Sequence, residues 1–142
     1  MYFRTNPTVI RFNKIYFFLF VLLFITEVLI ALYLHDRFIR PYVGDVLVVI
    51  MLYCLVRSFF RWPVVRTAIA VLLFSYIVEA CQYFRVIYAL GLAQSKLARV
   101  VMGIGFDWTD ILAYTLGFAA VLAAEYFLQP EAARQQPFSR YI

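Results

Sequence analysis

The sequence predicts an all-α, polytopic membrane protein: a four-transmembrane-helix bundle with a short interfacial helix between the third and fourth spans. Of the 142 residues, 65% are hydrophobic and 15% are charged, and the mean hydropathy is +0.85. A soluble domain carries about 25% charged residues, so lipid is the expected solvent. The apolar residues form continuous runs, whereas the strands of a membrane barrel alternate apolar and polar residues. Helices are therefore favoured over strands.

Four apolar runs are predicted to be membrane spans. A helix that rises about 1.5 Å per residue needs roughly 20 residues to cross a hydrocarbon core of about 30 Å. Residues 35–44, between the first two runs, are polar and contain Pro41 and Gly44, which predicts a loop. The chain is thus predicted to be a single membrane domain, 1–142, with spans at approximately 15–34, 44–60, 64–84 and 109–128, and short tails at 1–14 and 129–142.

The longest connection, 85–106, carries apolar residues at helical spacing, with polar residues such as Lys96 and Arg99 between them. This pattern predicts a short amphipathic helix that lies in the membrane interface. Gly103 and Gly105 are expected to end it.

Small residues recur along the fourth span. They are separated by three or four positions, and such spacing lets two helix backbones approach closely in lipid. The sequence therefore predicts that this span packs tightly, through Ala113, Gly117, Ala120 and Ala124.

Basic residues predict the orientation. With four spans, both tails and the turn between the second and third spans share one side of the membrane. That side holds eight Lys and Arg residues, against five on the other. Cytoplasmic segments carry an excess of these residues. The predicted location is the bacterial cytoplasmic (inner) membrane, multi-pass, with both termini in the cytoplasm.

Ionisable residues within the spans indicate a candidate site. Such residues are costly in hydrocarbon and usually face the bundle interior. Glu79 and Gln82 share one helix face because they are three positions apart, and the predicted orientation gathers most acidic residues at the outer rim. The sequence predicts a polar pocket open to the outer leaflet, with these ligand-binding residues: Glu79, Gln82, Asp110, Asp45, Arg99, Arg40, Glu27 and Tyr114.

Purely structural roles for the same residues stay open. Asp45 follows a glycine at a predicted helix start, where a carboxylate caps free backbone N–H groups. The segment 107–110 resembles a capping box. Glu27 could pair with an arginine of an outer loop. Arg57 and Glu125 lie near the cytoplasmic ends of their spans, where snorkelling or a structural pair is expected.

Several classes of function lack sequence support. The chain has no His/Cys/Asp cluster with metal-ligand spacing, no nucleophile motif and no glycine-rich phosphate loop. We therefore predict no catalytic residues, no metal and no cofactor, and we do not favour an enzyme. Cys54 and Cys81 lie within apolar runs and are interpreted as small buried hydrophobes. The basic residues are spread between apolar runs, which argues against nucleic acid as a partner.

A pattern in the second half resembles a known group of proteins. A glutamate and a glutamine lie three apart near the end of a span, at Glu79 and Gln82. A basic residue, Arg99, follows in the next loop, and then 107–110 opens a span with Gly117 downstream. This order resembles the VanZ-like group of small bacterial membrane proteins. In that group asparagine usually stands at the position of Tyr114, so the present chain departs from the pattern there.

A related uncharacterised membrane family, a domain of unknown function, is similar in addition at 40–45 and 106–108. That resemblance covers most of residues 37–120. Both resemblances imply a small protein of the cell envelope. Some VanZ-like members are linked to resistance to glycopeptide antibiotics, and the resemblance implies no established reaction.

Three functions are considered from these observations. The leading hypothesis is a protein that binds an anionic lipid or a lipid-linked envelope precursor at the outer leaflet, with Arg40, Lys96 and Arg99 meeting the anionic group. The alternative is a small proton- or cation-coupled transporter that acts as a homo-oligomer, because carboxylates within spans are the usual proton carriers. A membrane-embedded hydrolase is the weakest of the three.

Overall fold

The computed structural model describes residues 10–35, 39–102 and 105–129. Within these ranges the only β pairing is an isolated bridge between Ile10 and Phe60. Four helices of the described segments are long and apolar enough to cross a membrane, which confirms the predicted all-α polytopic bundle. In chain order the helices are α1 (Lys14–Tyr33), α2 (Ile39–Phe59), α3 (Val64–Tyr83), α4 (Val86–Ala89), α5 (Lys96–Met102) and α6 (Trp108–Leu128).

Helix α2 is the centre of the bundle. It packs against α1, α3 and α6, and α6 also packs against α3. Helix α1 packs mainly on α2, and none of its residues is buried. We call the end of the bundle that holds residues 84–102 and 105–107 the distal end. The end that holds residues 10–13 and 60–63 is the proximal end.

The start of α2 differs from the sequence prediction. The helix begins at Ile39, five residues before the predicted boundary at 44, so the predicted loop is wrong from residue 39 onward. Pro41 is the third residue of α2, where a backbone N–H has no partner within the helix, and proline is therefore tolerated. At Gly44 an added Cβ would lie 3.6 Å from Glu27 Oε2, an ordinary contact. As a result α2 has 21 residues and full spanning length.

The connection between α3 and α6 holds two short helices in place of one. Helix α4 follows Arg85, whose φ of 54° is left-handed. Gly91, at φ 71°, provides the next turn, where glycine has no Cβ to oppose that conformation. Helix α5 is the predicted amphipathic helix, and Lys96 and Arg99 are exposed on it. Gly103, which was expected to end this helix, lies outside the described residues.

The core lies where α2, α3 and α6 meet. Ala113 and Gly117 of α6 are buried there, as the spacing of small residues predicted, whereas Ala120 and Ala124 are exposed. A Cβ on Gly117 would lie 2.9 Å from the carbonyl oxygen of Val46. The two helix backbones therefore come close at Gly117. The buried hydrophobic residues around this point are Val49, Tyr53, Cys54, Ala68, Val71, Tyr114 and Val121.

The segment before α1 is bound to the end of α2. The backbone N–H of Arg11 donates to Phe59 O at 2.8 Å, and that of Asn13 donates to Ser58 O at 2.7 Å. These bonds satisfy carbonyl groups at the helix C-terminus, which have no partner within the helix. The Asn13 side chain in turn caps α1 by accepting from Ile15 N at 3.0 Å. Two segments far apart in sequence are thus fixed side by side at the proximal end.

Candidate functional site

Glu79 of α3 is the most deeply buried acidic residue at the distal end. Its side chain is 0% exposed. Oε1 accepts a hydrogen bond from the backbone N–H of Asp107 at 3.2 Å, and Oε2 accepts one from the Tyr114 hydroxyl at 3.3 Å. The carboxyl group therefore links α3 to α6 and to the segment just before α6. Two of its partners are a backbone amide and a phenol.

Two aspartates extend this contact towards α2. The carboxyl group of Asp110 lies within hydrogen-bonding reach of both Asp45 and Glu79. A hydrogen bond between two carboxyl groups needs a proton on one of them, because ionised carboxylates only accept. We call Glu27, Asp45, Glu79 and Asp110 the acidic cluster.

Glu27 is the contribution of α1 to the acidic cluster. It is half-buried, and it lies close enough to Asp45 for the two carboxyl groups to interact electrostatically. Its Oε1 is buried and has no hydrogen-bond partner in the part of the chain that the structure describes. Buried polar atoms in folded proteins nearly always have a partner. This oxygen is therefore available to a proton or a donor group.

Asp107 has the capping role that its position suggested. It is the N-cap of α6, and its Oδ1 accepts from Thr109 N at 3.0 Å. That N–H lowers the pKa of the exposed Asp107 carboxyl group, because the hydrogen bond stabilises the charged form. Asp45, in contrast, is the seventh residue of α2 and cannot be its N-cap. Asp107 is thus a helix cap, whereas Asp45 and Asp110 belong to the acidic cluster.

The arginines of the predicted pocket lie apart from the acidic cluster. Arg40 is half-buried in the first turn of α2, and Arg99 is exposed on α5. Within residues 10–35, 39–102 and 105–129, neither forms an ion pair with an acidic residue. Gln82 is half-buried one turn after Glu79, and its carbonyl accepts from Arg85 N at 3.1 Å. Of the predicted pocket, the structure therefore brings together the four carboxyl groups and Tyr114.

A second polar contact, at the proximal end, was missed from the sequence. Glu125 Oε1 accepts from the hydroxyl groups of Tyr16 at 2.5 Å and Tyr53 at 2.7 Å. The guanidinium carbon of Arg57 lies 5.0 Å from the centroid of the Tyr16 ring, and Nη2 donates to the Tyr16 hydroxyl at 3.4 Å. Arg57 and Glu125, for which snorkelling or a structural pair was expected, are linked through Tyr16. Tyrosines near span ends are common interface residues, so the positions of Tyr16 and Tyr53 do not indicate a polar contact. The one available signal is that Glu125, within a span, needs a hydrogen-bond donor.

Comparison with protein families gives a match that covers most of the helical bundle. The model of the family described as "Protein of unknown function (DUF2809)" matches residues 34–118, which is more than half of the chain. The chain belongs to the DUF2809 family. The predicted resemblance to an uncharacterised membrane family is thereby confirmed, whereas the resemblance to VanZ-like proteins stays a prediction. No solved structure matches the chain.

The DUF2809 match contains most of the acidic cluster. Asp45, Glu79 and Asp110 lie within residues 34–118, as does Tyr114, whereas Glu27 precedes the match. The site of this DUF2809 protein is therefore built mainly from the family segment, and α1 adds one carboxyl group to it.

An aromatic cleft lies beside the acidic cluster in this DUF2809 protein. It has a volume of about 290 Å³ and lies between α3 and α6 at the distal end. Phe106 and Trp108, which flank the capping Asp107, form part of its wall. The cleft is lined by Tyr76, Ala80, Tyr83, Phe84, Phe106, Trp108 and Ile111. It can accept an apolar group at the distal end.

Proposed function

We propose that this membrane protein is a small transporter that moves protons and that the acidic cluster is its proton-binding site. The observation that carries the proposal is the fully buried carboxyl group of Glu79, which accepts hydrogen bonds from Asp107 N and Tyr114 and lies near the carboxyl groups of Asp45 and Asp110. These groups have no ion pair to a basic residue in the ranges that the structure describes. Carboxyl groups held in this way within membrane spans are suited to take up and release protons. In the orientation predicted from the basic residues, the cluster faces the outside of the cytoplasmic membrane.

A proton suits the acidic cluster better than a metal ion or an anion. Among the described residues, no group of three or more His, Cys, Asp or Glu is arranged to hold a metal ion. An anionic head group would be repelled by the carboxylates of the cluster, and neither Arg40 nor Arg99 contacts the cluster to offset that repulsion. This geometry favours the transporter over the anionic-lipid hypothesis.

The packing below the acidic cluster supports an oligomer. At Gly117 a Cβ would lie 2.9 Å from both the carbonyl oxygen of Val46 and the Cβ of Val49. Such contact leaves no room for a path between α2 and α6 within one copy. Helix α1 has no buried residue, so its apolar surface is open to lipid or to a second copy. With that route closed, we propose that the protein acts as an oligomer.

Proteoliposomes with a pH-sensitive dye inside test the proposal. A potassium diffusion potential should drive a change of internal pH that depends on the wild-type protein. Asp110→Asn should reduce the rate to nearly that of protein-free liposomes, because it removes a proton carrier from the cluster. The matched control is Asp107→Asn, which keeps a capping oxygen and removes an exposed carboxylate, and it should retain the wild-type rate. The proposal is wrong if the wild type causes no pH change or if both variants lose it equally.

The aromatic cleft favours a second candidate, the binding of an amphiphile at the distal end. Its apolar chain would occupy the cleft, and the exposed carboxylate of Asp107, between Phe106 and Trp108, favours a zwitterionic or cationic head group. Native mass spectrometry of the purified protein should then show a bound lipid that Trp108→Ala loses. Phe74→Ala, which removes another exposed aromatic side chain of a span, should leave it bound. Equal retention by both variants would exclude the cleft as the binding site.

A further inference from the structure

A second cleft lies at the proximal end, outside the acidic cluster. It has a volume of about 510 Å³, within the size range of small-molecule sites. Of the eight described residues that line it, four are basic and none is acidic. The basic residues are Arg11, Lys14, Arg57 and Arg61, and Phe12 and Phe60 are among the others. Its composition is thus the reverse of that of the acidic cluster.

Backbone pairing builds this basic cleft. The bonds from Arg11 N to Phe59 O and from Asn13 N to Ser58 O hold the segment before α1 against the end of α2. As a result Arg11 and Lys14 from one segment face Arg57 and Arg61 from the other. Main-chain hydrogen bonds therefore bring the two segments of the cleft together, whatever conformations the long basic side chains adopt.

The positive charge in the cleft has little internal compensation. Arg57 donates to the carbonyl of Trp62 and to the hydroxyl of Tyr16, which are both uncharged partners. Its Nε is buried and has no hydrogen-bond partner among the described residues. Glu125 is occupied by Tyr16 and Tyr53. Like charges held together repel one another, and an anion relieves that repulsion. Guanidinium and ammonium groups bind phosphate oxygens through strong, charge-assisted hydrogen bonds.

We propose that this basic cleft binds the phosphate head group of an anionic membrane lipid. The cleft lies at the ends of membrane-spanning helices, where head groups are found, and basic pockets between such helices suit anionic head groups. Phe12 is 50% exposed and Phe60 is 36% exposed, so both present apolar surface to the glycerol and upper chain of a lipid. A soluble phosphate would use the charges alone. The proposal concerns the opposite end of the bundle from the acidic cluster and does not depend on proton transport.

The lipid that the purified protein retains tests whether this site binds an anionic head group. The wild-type protein in detergent is mixed with phosphatidylglycerol or with phosphatidylcholine of the same acyl chains, and retained lipid is counted by native mass spectrometry. The wild type should retain phosphatidylglycerol preferentially. In the double variant Lys14→Gln/Arg61→Gln, each lost charge should lower the binding constant about fivefold. Both side chains are exposed, so the variant should keep its helical circular dichroism spectrum.

Arg66→Gln is the matched control. Arg66 is exposed in the first turn of α3, at the same end of the bundle, but it does not line the cleft. This variant should retain phosphatidylglycerol as the wild type does. The proposal is overturned if the wild type retains both lipids equally, or if Arg66→Gln has the same effect as the double variant. It is also overturned if millimolar inorganic phosphate displaces the lipid completely, since the site would then be one for soluble anions.

Discussion

Replacing Gly117 with leucine is expected to prevent stable packing of α6 against α2. Even a single Cβ at this position would lie 2.9 Å from the backbone oxygen of Val46 and 2.9 Å from the Cβ of Val49. Neither atom can move aside by rotation of a side chain, so the helices must separate. Overpacking of this kind costs about 1–3 kcal/mol, and leucine adds three further carbon atoms in the same place. We expect a loss near the upper end of that range, measured as thermal unfolding in detergent by circular dichroism.

Alanine at Gly117 should lower stability less than leucine does, because two effects oppose each other. In a helix interior alanine is favoured over glycine by about 1 kcal/mol, which offsets part of the steric cost. Gly105→Ala is the control, because nothing lies within 4 Å of the added Cβ there. If Gly117→Leu unfolds at the same temperature as Gly105→Ala, then α2 and α6 do not approach as described.

The spans could be predicted because lipid requires continuous apolar surface. Helix α1 shows this most clearly, since none of its residues is buried and yet nearly all of them are apolar. No packing partner is needed to explain such a run, and its length alone identifies it. The start of α2 was placed too late, because Pro41 and Gly44 were interpreted as loop residues. Proline in the first turn costs a helix nothing, and the sequence does not distinguish that position from a loop.

The candidate site could be predicted only in part. Alternation of the spans places Asp45, Glu79 and Asp110 at one end of the bundle, and the sequence is sufficient for that step. Which of them touch depends on how each helix is rotated about its axis. Each of these helices carries apolar side chains around its whole circumference and only a few polar ones. The sequence therefore does not fix how each helix is rotated about its axis. Arg40 and Arg99 share the same end and nevertheless do not join the cluster.

The proximal basic cleft could not be predicted. Arg11, Lys14 and Arg61 entered the sequence analysis only as charges that set the orientation. They meet because backbone groups of 11–13 bind the end of α2, and backbone pairing of this kind has no side-chain signature. Tyr16 and Tyr53 were missed for a related reason, since their contact with Glu125 joins residues more than 70 positions apart.

Replacing Glu79 with leucine is also expected to lower the free energy of unfolding substantially. It leaves the N–H of Asp107 and the hydroxyl of Tyr114 without their acceptor. Asp107 is exposed, so water can replace the acceptor of its N–H, whereas the Tyr114 hydroxyl is buried. A buried donor without a partner costs about 1–3 kcal/mol, and we expect a loss in that range. Glu79→Gln keeps one side-chain oxygen as an acceptor and should lose less than half as much. The measurement is again thermal unfolding in detergent, with each variant compared with the wild type.

A double-mutant cycle with Tyr114→Phe isolates the hydrogen bond between α3 and α6. Phenylalanine removes the donor that Glu79→Leu leaves without a partner, so the double variant should be more stable than the sum of the single losses predicts. Hydrogen bonds between membrane helices average about 0.6 kcal/mol and reach about 1.7 kcal/mol, and we expect a coupling energy in that range. Tyr76→Phe is the control, because its exposed hydroxyl contacts Thr115 and not Glu79. A coupling energy of zero between positions 79 and 114 would show that the carboxyl group does not accept from the phenol, and the acidic cluster would then lose its link to Tyr114.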